Sequence, residues 1–183
     1  MLTIQVPERE IYDEVSNLFT QIPATKLCLE HSLVSISKWE AKYKKPFLSD
    51  RKEHEKTREE TIDYIRFMTL TQNVNPVVYL GLTDGNYKDI MDYIDDPMTA
   101  SFVYEPKTKK RSSEQITSEL IYWWMTALQI PWEAQKWHLN RLMMLIRIGN
   151  AKSQPPEKQS KAEILARNRA LNEMRKKKYN TKG

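Results

Sequence analysis

The chain has 183 residues, enough for one compact domain and an appendage, and its four glycines disfavour a turn-rich all-β fold. A single cysteine, Cys28, excludes an intrachain disulfide, and no apolar run reaches the roughly 20 residues of a membrane span. Of the 29 basic and 24 acidic side chains, residues 1–150 hold 19 and 21 while residues 151–183 hold 10 and 3, so a near-neutral body carries a basic tail. The opening MLTIQVPERE lacks the basic-then-apolar order of a signal peptide, and the expected setting is a reducing cytosol.

Leu2, Ile4 and Val6 alternate with Thr3 and Gln5, the pattern of a half-buried strand that Pro7 ends. Thr25-Lys26-Leu27-Cys28-Leu29 alternates again, and the two are predicted to pair antiparallel as a small N-terminal β-hairpin. Between them, Glu8 to Pro23 fits either a further strand near Leu18 to Ile22 or a short helix. Ser32 is placed to cap a helix reaching about Tyr43, with Leu33, Ile36, Trp39 and Tyr43 at helical spacing and Pro46 closing it. Ser49 to Lys56 reads as a charged loop.

Thr57-Arg58-Glu59-Glu60 has the capping-box pattern, in which threonine and glutamate satisfy each other's end of the backbone, and Ile62, Ile65 and Met68 line the helix it opens. Asn75-Pro76 reads as the N-cap and first position of a short helix to Leu82. Thr83 or Asp84 starts another helix, with Tyr87, Ile90, Met91 and Ile94 facing inward and Asp95-Asp96-Pro97 stopping it. Residues 103–112 are polar and basic, an exposed loop.

Ser112 and Gln115 repeat the capping spacing, and Ile116, Leu120, Trp123, Trp124 and Ala127 are predicted to form a wide apolar face. After a break at Ile130, Pro131 opens a second helix carrying Trp137, Leu142, Leu145 and Ile148, with Gly149 as its C-cap. The pair is expected to be an αα-hairpin at the centre of the fold, with Trp123, Trp124, Trp132 and Trp137 in its core. Trp123 and Trp124 project about 100° apart on a helix, so one of them is expected to reach the surface as an anchor for a protein partner.

Residues 150–159 form a linker interrupted by Pro155 and Pro156. Ser160-Lys161-Ala162-Glu163 is a third capping box, after which Ile164, Leu165, Leu171 and Met174 line one side of a last helix. Its other sides carry Arg167, Arg169, Arg175 and Lys176 to Lys178. The expected fold is therefore mainly α: a helical body over 1–149 with a small N-terminal antiparallel β-sheet, and a basic amphipathic arm over 150–183. The arm's apolar stripe points to docking on protein or to self-association, with Arg167 and Arg175 flanking it.

The sequence offers no catalytic constellation. His31, His54 and His138 never stand at helical ligand spacing, so no metal site is expected. No strand-turn-helix serine elbow or phosphate-cradling glycine loop occurs, and Gly81 to Gly85 reads as a turn between helices. Asp89, Asp92, Asp95 and Asp96 read as a solvated acidic face rather than a magnesium site. Cys28, in an apolar run, is expected to be a buried inert thiol, and His138 a half-buried packing residue.

Three stretches carry a resemblance: LEHSLVSISKWEAKYKKPFL (Leu29 to Leu48), SELIYWWMTALQIPWEAQKWHLNRLMMLIRI (Ser118 to Ile148) and RNRALNEMRKKKYNTKG (Arg167 to Gly183). Together they resemble the tail assembly chaperones of long-tailed bacteriophages, chiefly siphophages of Gram-positive hosts. The resemblance covers most of the chain beyond about residue 25. It implies a non-enzymatic assembly factor of the host cytoplasm, without cofactor. Such a factor binds the tape measure protein, keeps its apolar helices soluble and recruits tail-tube subunits. The candidate partner-binding residues are Trp123, Trp124, Ile164, Leu165, Leu171, Met174, Arg167 and Arg175. The alternative is a nucleic-acid-associated phage protein that sets its basic arm on phosphates. The arm carries only Tyr179 for base stacking, which ranks this second.

Overall fold

The computed structural model describes residues 1–13, 18–49, 55–101 and 115–153, and the helical positions Leu165, Asn168, Arg169, Asn172, Glu173 and Lys176. The chain divides into two units, Met1–Ala151 and Lys152–Gly183. Helices dominate, with a small antiparallel β part at the N-terminal end.

Strands β1 (Leu2–Val6) and β4 (Thr25–Leu29) pair antiparallel as their alternation predicts, with Leu2 opposite Leu29 and Val6 opposite Thr25. The ambiguous stretch between them resolves as strands, β2 (Arg9–Asp13) and β3 (Leu18–Ile22), which pair with each other. The N-terminal part is thus two separate two-stranded sheets instead of one hairpin. A 3-10 helix over Pro76–Gly81, capped by the Asn75 side chain, lies against both. A Cβ on Gly81 would sit 2.8 Å from Ile22 Cγ2 and 3.0 Å from Val6 Cγ1, so only glycine lets that backbone approach the two sheets.

Helix α1 (Leu33–Tyr43) starts at the Ser32 cap, with Ser32 and Ser35 satisfying each other's backbone, and ends where Lys44 turns left-handed, two residues before Pro46. Helix α2 (Arg58–Met68) carries the expected Thr57–Glu60 capping box. Helix α3 (Asp84–Asp95) is capped by Thr83, with Asn86 returning the bond. Its buried face is Asn86, Ile90 and Tyr93, and Met91 is exposed. The rotation follows from Asn86, whose amide donates to the Gln5 carbonyl at 3.2 Å and lays that face on β1.

The tryptophan-rich region departs furthest from expectation. Helix α4 (Ser118–Ala127) begins after a Thr117 cap, so Ile116 precedes it, and Ser112 lies outside the described residues. Its buried residues are Ser118, Ile121 and Met125, a stripe rotated from the predicted one, while Trp123 and Ala127 are exposed. Pro131 leads only into a 3-10 helix, Trp132–Lys136, and α5 (Leu139–Ser153) starts afresh. That restart is anchored by the Leu139 N–H donating to the His31 carbonyl at 2.7 Å. Gly149 lies inside α5 instead of capping it. A Cβ there would meet Leu128 Cδ1 at 3.0 Å, so the glycine makes room for the side chain that follows α4.

The centre of the core is α1, which packs on α2, α4 and the 3-10 helix after α4. Trp39 is wholly buried, edge-on to Phe47 at 5.2 Å, with its indole N–H donating to the Glu60 carbonyl at 2.9 Å. Next to it, the buried Glu40 carboxylate accepts from two backbone N–H groups, Phe47 at 2.8 Å and Ser118 at 2.8 Å. It thereby holds the turn after α1 and neutralises the positive end of α4.

Removing that acceptor leaves two buried donors unpaired. Glu40→Ala should cost about 3 kcal/mol of stability, and Glu40→Gln less, because the amide keeps one acceptor oxygen. Chemical denaturation of the three proteins checks this; equal midpoints would mean that the carboxylate is dispensable.

Candidate protein-binding surface

Every position from Leu120 to Met125 except the buried-stripe members is apolar or aromatic, so some large side chains must face out once Ile121 and Met125 face in. Trp123 is 63% exposed and Trp132 is 55% exposed. Trp137 is 37% exposed, with the Arg141 guanidinium 4.9 Å from its ring centroid. Trp124 is half-buried and packs on the core. The expected tryptophan core is thus corrected: the fully buried tryptophan is Trp39, and the four between 123 and 137 lie at or near the surface.

Second contacts hold parts of this surface in place. The Tyr122 ring lies 5.7 Å from that of Trp132, and the Tyr122 hydroxyl donates to Gln135 Oε1 at 3.1 Å. Burial, and then the Glu119 charge, pushes the Tyr122 hydroxyl above its ordinary pKa, so it stays a neutral donor. Ordered aromatic groups with one polar handle lose little side-chain freedom when a partner covers them.

Within Lys152–Gly183, Leu165 is exposed and helical, as are Arg169 and Lys176. Ile164, Arg167, Leu171, Met174 and Arg175 lie outside the residues whose placement is described, as does His54.

The polar clusters of the body satisfy themselves. Asp63 accepts from Lys42, from the Tyr43 hydroxyl at 2.6 Å and from Arg66 at 3.2 Å. Burial works to raise the Asp63 pKa, but these donors together hold it below the usual carboxylate range. Cys28 is half-buried rather than fully buried, with its sulfur 3.8 Å from Thr3 Oγ1. Between α2 and α3 lies a mainly apolar cleft of about 340 Å³, bordered by Phe47, Lys56, Tyr64, Ile65 and Ile90. Lys56 donates to the Phe47 carbonyl at 2.9 Å, and burial pushes its pKa down against the opposing pull of Glu60.

His31 and His138 are both buried, with ring centroids 5.1 Å apart. His31 Nδ1 lies 2.5 Å from the Tyr64 hydroxyl. His138 Nδ1 accepts from the Asn140 N–H at 3.3 Å, which leaves Nε2 to donate to the Tyr93 carbonyl at 2.9 Å. His138 is therefore more deeply buried than the half-buried packing role predicts, and it ties α3 to the start of α5. Among the described residues, no group of three or more His, Cys, Asp or Glu side chains is arranged to hold a metal ion.

Burial, and then the neighbouring His138, lowers the His31 pKa from 6.5 to about 3. Below pH 6.5 the unfolded chain takes up a proton that the native imidazole refuses, so stability falls as pH drops from 6.5 towards 3. The slope approaches about 1.4 kcal/mol per pH unit. Denaturant melts should show His31→Asn losing less stability than wild type between neutral pH and pH ~5, by on the order of 2 kcal/mol. Parallel losses in the two proteins would place the acid sensitivity elsewhere.

No protein-family model matches the chain, and neither a curated protein nor a solved structure does.

Proposed function

We propose that this chain is a tail assembly chaperone that works by binding, with the tape measure protein as client and tail-tube subunits recruited to the complex, in the host cytoplasm. The single observation that carries the reading is the placement of Trp123, Trp132 and Trp137 at the surface of the run Ser118 to Ile148. That run is one of the stretches in which the sequence resembles the chaperones. A client rich in apolar helices needs large, ordered apolar groups to cover it. A tryptophan as exposed as Trp123 gains about 3 kcal/mol when its apolar area is fully covered. A body already folded on Trp39 and α1 offers those side chains without unfolding.

The uneven charge favours a second reading, in which the tail beyond residue 150 rests on nucleic-acid phosphates. Salt separates the two. Phosphate binding releases counterions and weakens by orders of magnitude between low and moderate salt, whereas apolar docking does not.

The test is binding to a co-expressed tape measure protein. Trp123→Ala and Trp132→Ala together should weaken it at least about tenfold, while each melt stays within about 1.5 kcal/mol of wild type, because only the Tyr122 stacking contact is lost. Client binding should also persist as salt is raised. Unchanged client binding by the double variant, or binding to DNA that collapses with salt in place of client binding, would overturn the proposal.

A further inference from the structure

The β2–β3 pair is a two-stranded sheet hydrogen-bonded to no other strand among the described residues. Such a pair is marginal alone, and a third strand or a covered apolar face is what stabilises it. One face is covered: Ile22 is fully buried beside Gly81. The other carries Glu10, Tyr12, Phe19 and Gln21, all exposed, with Tyr12 opposite Phe19 in the register and their rings 5.0 Å apart. Phe19 is 67% exposed.

The two open edges differ. Strand β2, Arg-Glu-Ile-Tyr-Asp, carries three charges, the usual protection of an edge against another strand, and Arg9 also donates to the Leu80 carbonyl at 2.9 Å. Strand β3, Leu-Phe-Thr-Gln-Ile, carries none. Alternate residues of an antiparallel pair turn their N–H and C=O groups away from the partner strand. No hydrogen bond from another described element reaches the β3 backbone. The contrast is with the first sheet, whose β4 edge is occupied by Met68, Leu70 and Thr71.

A row of free peptide groups is recognised by another extended backbone, and an edge without charge or proline accepts one that is likewise uncharged. Among the described strands of this protein, β3 itself has those properties and an open edge. We propose that β3 is a self-association site, at which a second copy adds its own β3 antiparallel across a twofold axis to make a continuous β2–β3–β3–β2 sheet. In the pairing centred on Thr20, Phe19 of each copy stands opposite Gln21 of the other, and the exposed Tyr12–Phe19 faces join into one aromatic surface. This inference does not depend on the chaperone reading.

The experiment is light-scattering mass and sedimentation equilibrium of the full chain over a wide concentration range. Wild type should approach twice its 21.7 kDa chain mass as concentration rises. Phe19→Lys with Gln21→Lys should stay at the monomer mass, as should Phe19→Glu with Gln21→Glu. An equimolar mixture of the two should recover the dimer, because opposite charges then face each other across the seam. Recovery on mixing also shows that neither variant failed by unfolding. Three results would each overturn the proposal: a wild type that stays monomeric throughout, a lysine variant that dimerises like wild type, or two monomeric variants that do not combine. The first would leave the edge to a strand from a different protein.

Discussion

The stretch from Cys28 to Ser32 is where the body is tied together. The Glu30 N–H donates to the Met68 carbonyl at 2.9 Å and the Leu70 N–H to the Cys28 carbonyl at 2.7 Å, so the end of α2 completes the edge of β4. One residue further, the His31 carbonyl takes the Leu139 N–H at 2.7 Å and fixes the start of α5. Ser32 then caps α1. Four backbone segments meet within five residues, each through groups that would be costly to bury unpaired. The side chains repeat the pattern: Glu30 accepts from the Tyr93 hydroxyl at 2.6 Å, and His31 meets Tyr64 and His138. Loosening this junction would release α2, α3 and α5 together.

That arrangement explains how a chain with five tryptophans can leave most of them near the surface. The centre is filled by Trp39, Leu33 and Ile36 from one helix and closed by the buried carboxylate of Glu40 on the N-terminus of α4. Helix α4 is then held by its first turn and by Ile121 and Met125, and has no further room inward. Its remaining aromatic side chains face solvent or a partner. Rigidity in the centre and apolar area at the periphery are what a binding protein needs when it must cover an apolar client without opening its own core.

The sequence made some parts of this legible and others not. Caps were readable because they are local: Ser32, Thr57, Asn75 and Thr83 each satisfy a backbone group within three residues. Alternation was enough to pair β1 with β4. The α4 face was not readable, since a run of nearly continuous apolar residues has no period to break the tie, and the choice is made by Ser118 reaching Glu40, 78 residues away in sequence. Gly149 misled for a similar reason: glycine signals a helix end, but here it answers to Leu128. The same limit hid Tyr93 and the depth of His138, whose partners come from distant elements. Of the surface residues expected to bind a partner, Trp123 and Leu165 are exposed, Trp124 is half inside, and the rest of the arm's stripe lies outside the described residues.

The claim on which this account turns is that the Cys28–Ser32 junction opens only when the whole body unfolds. Native-state amide hydrogen exchange tests it residue by residue. The amides of Glu30, Leu70 and Leu139 should exchange with one common free energy equal to that of global unfolding, and respond alike to denaturant. Exchange of Leu139 at a much lower free energy than Glu30 and Leu70 would show α5 detaching on its own, and would contradict the junction as the element that holds the fold together.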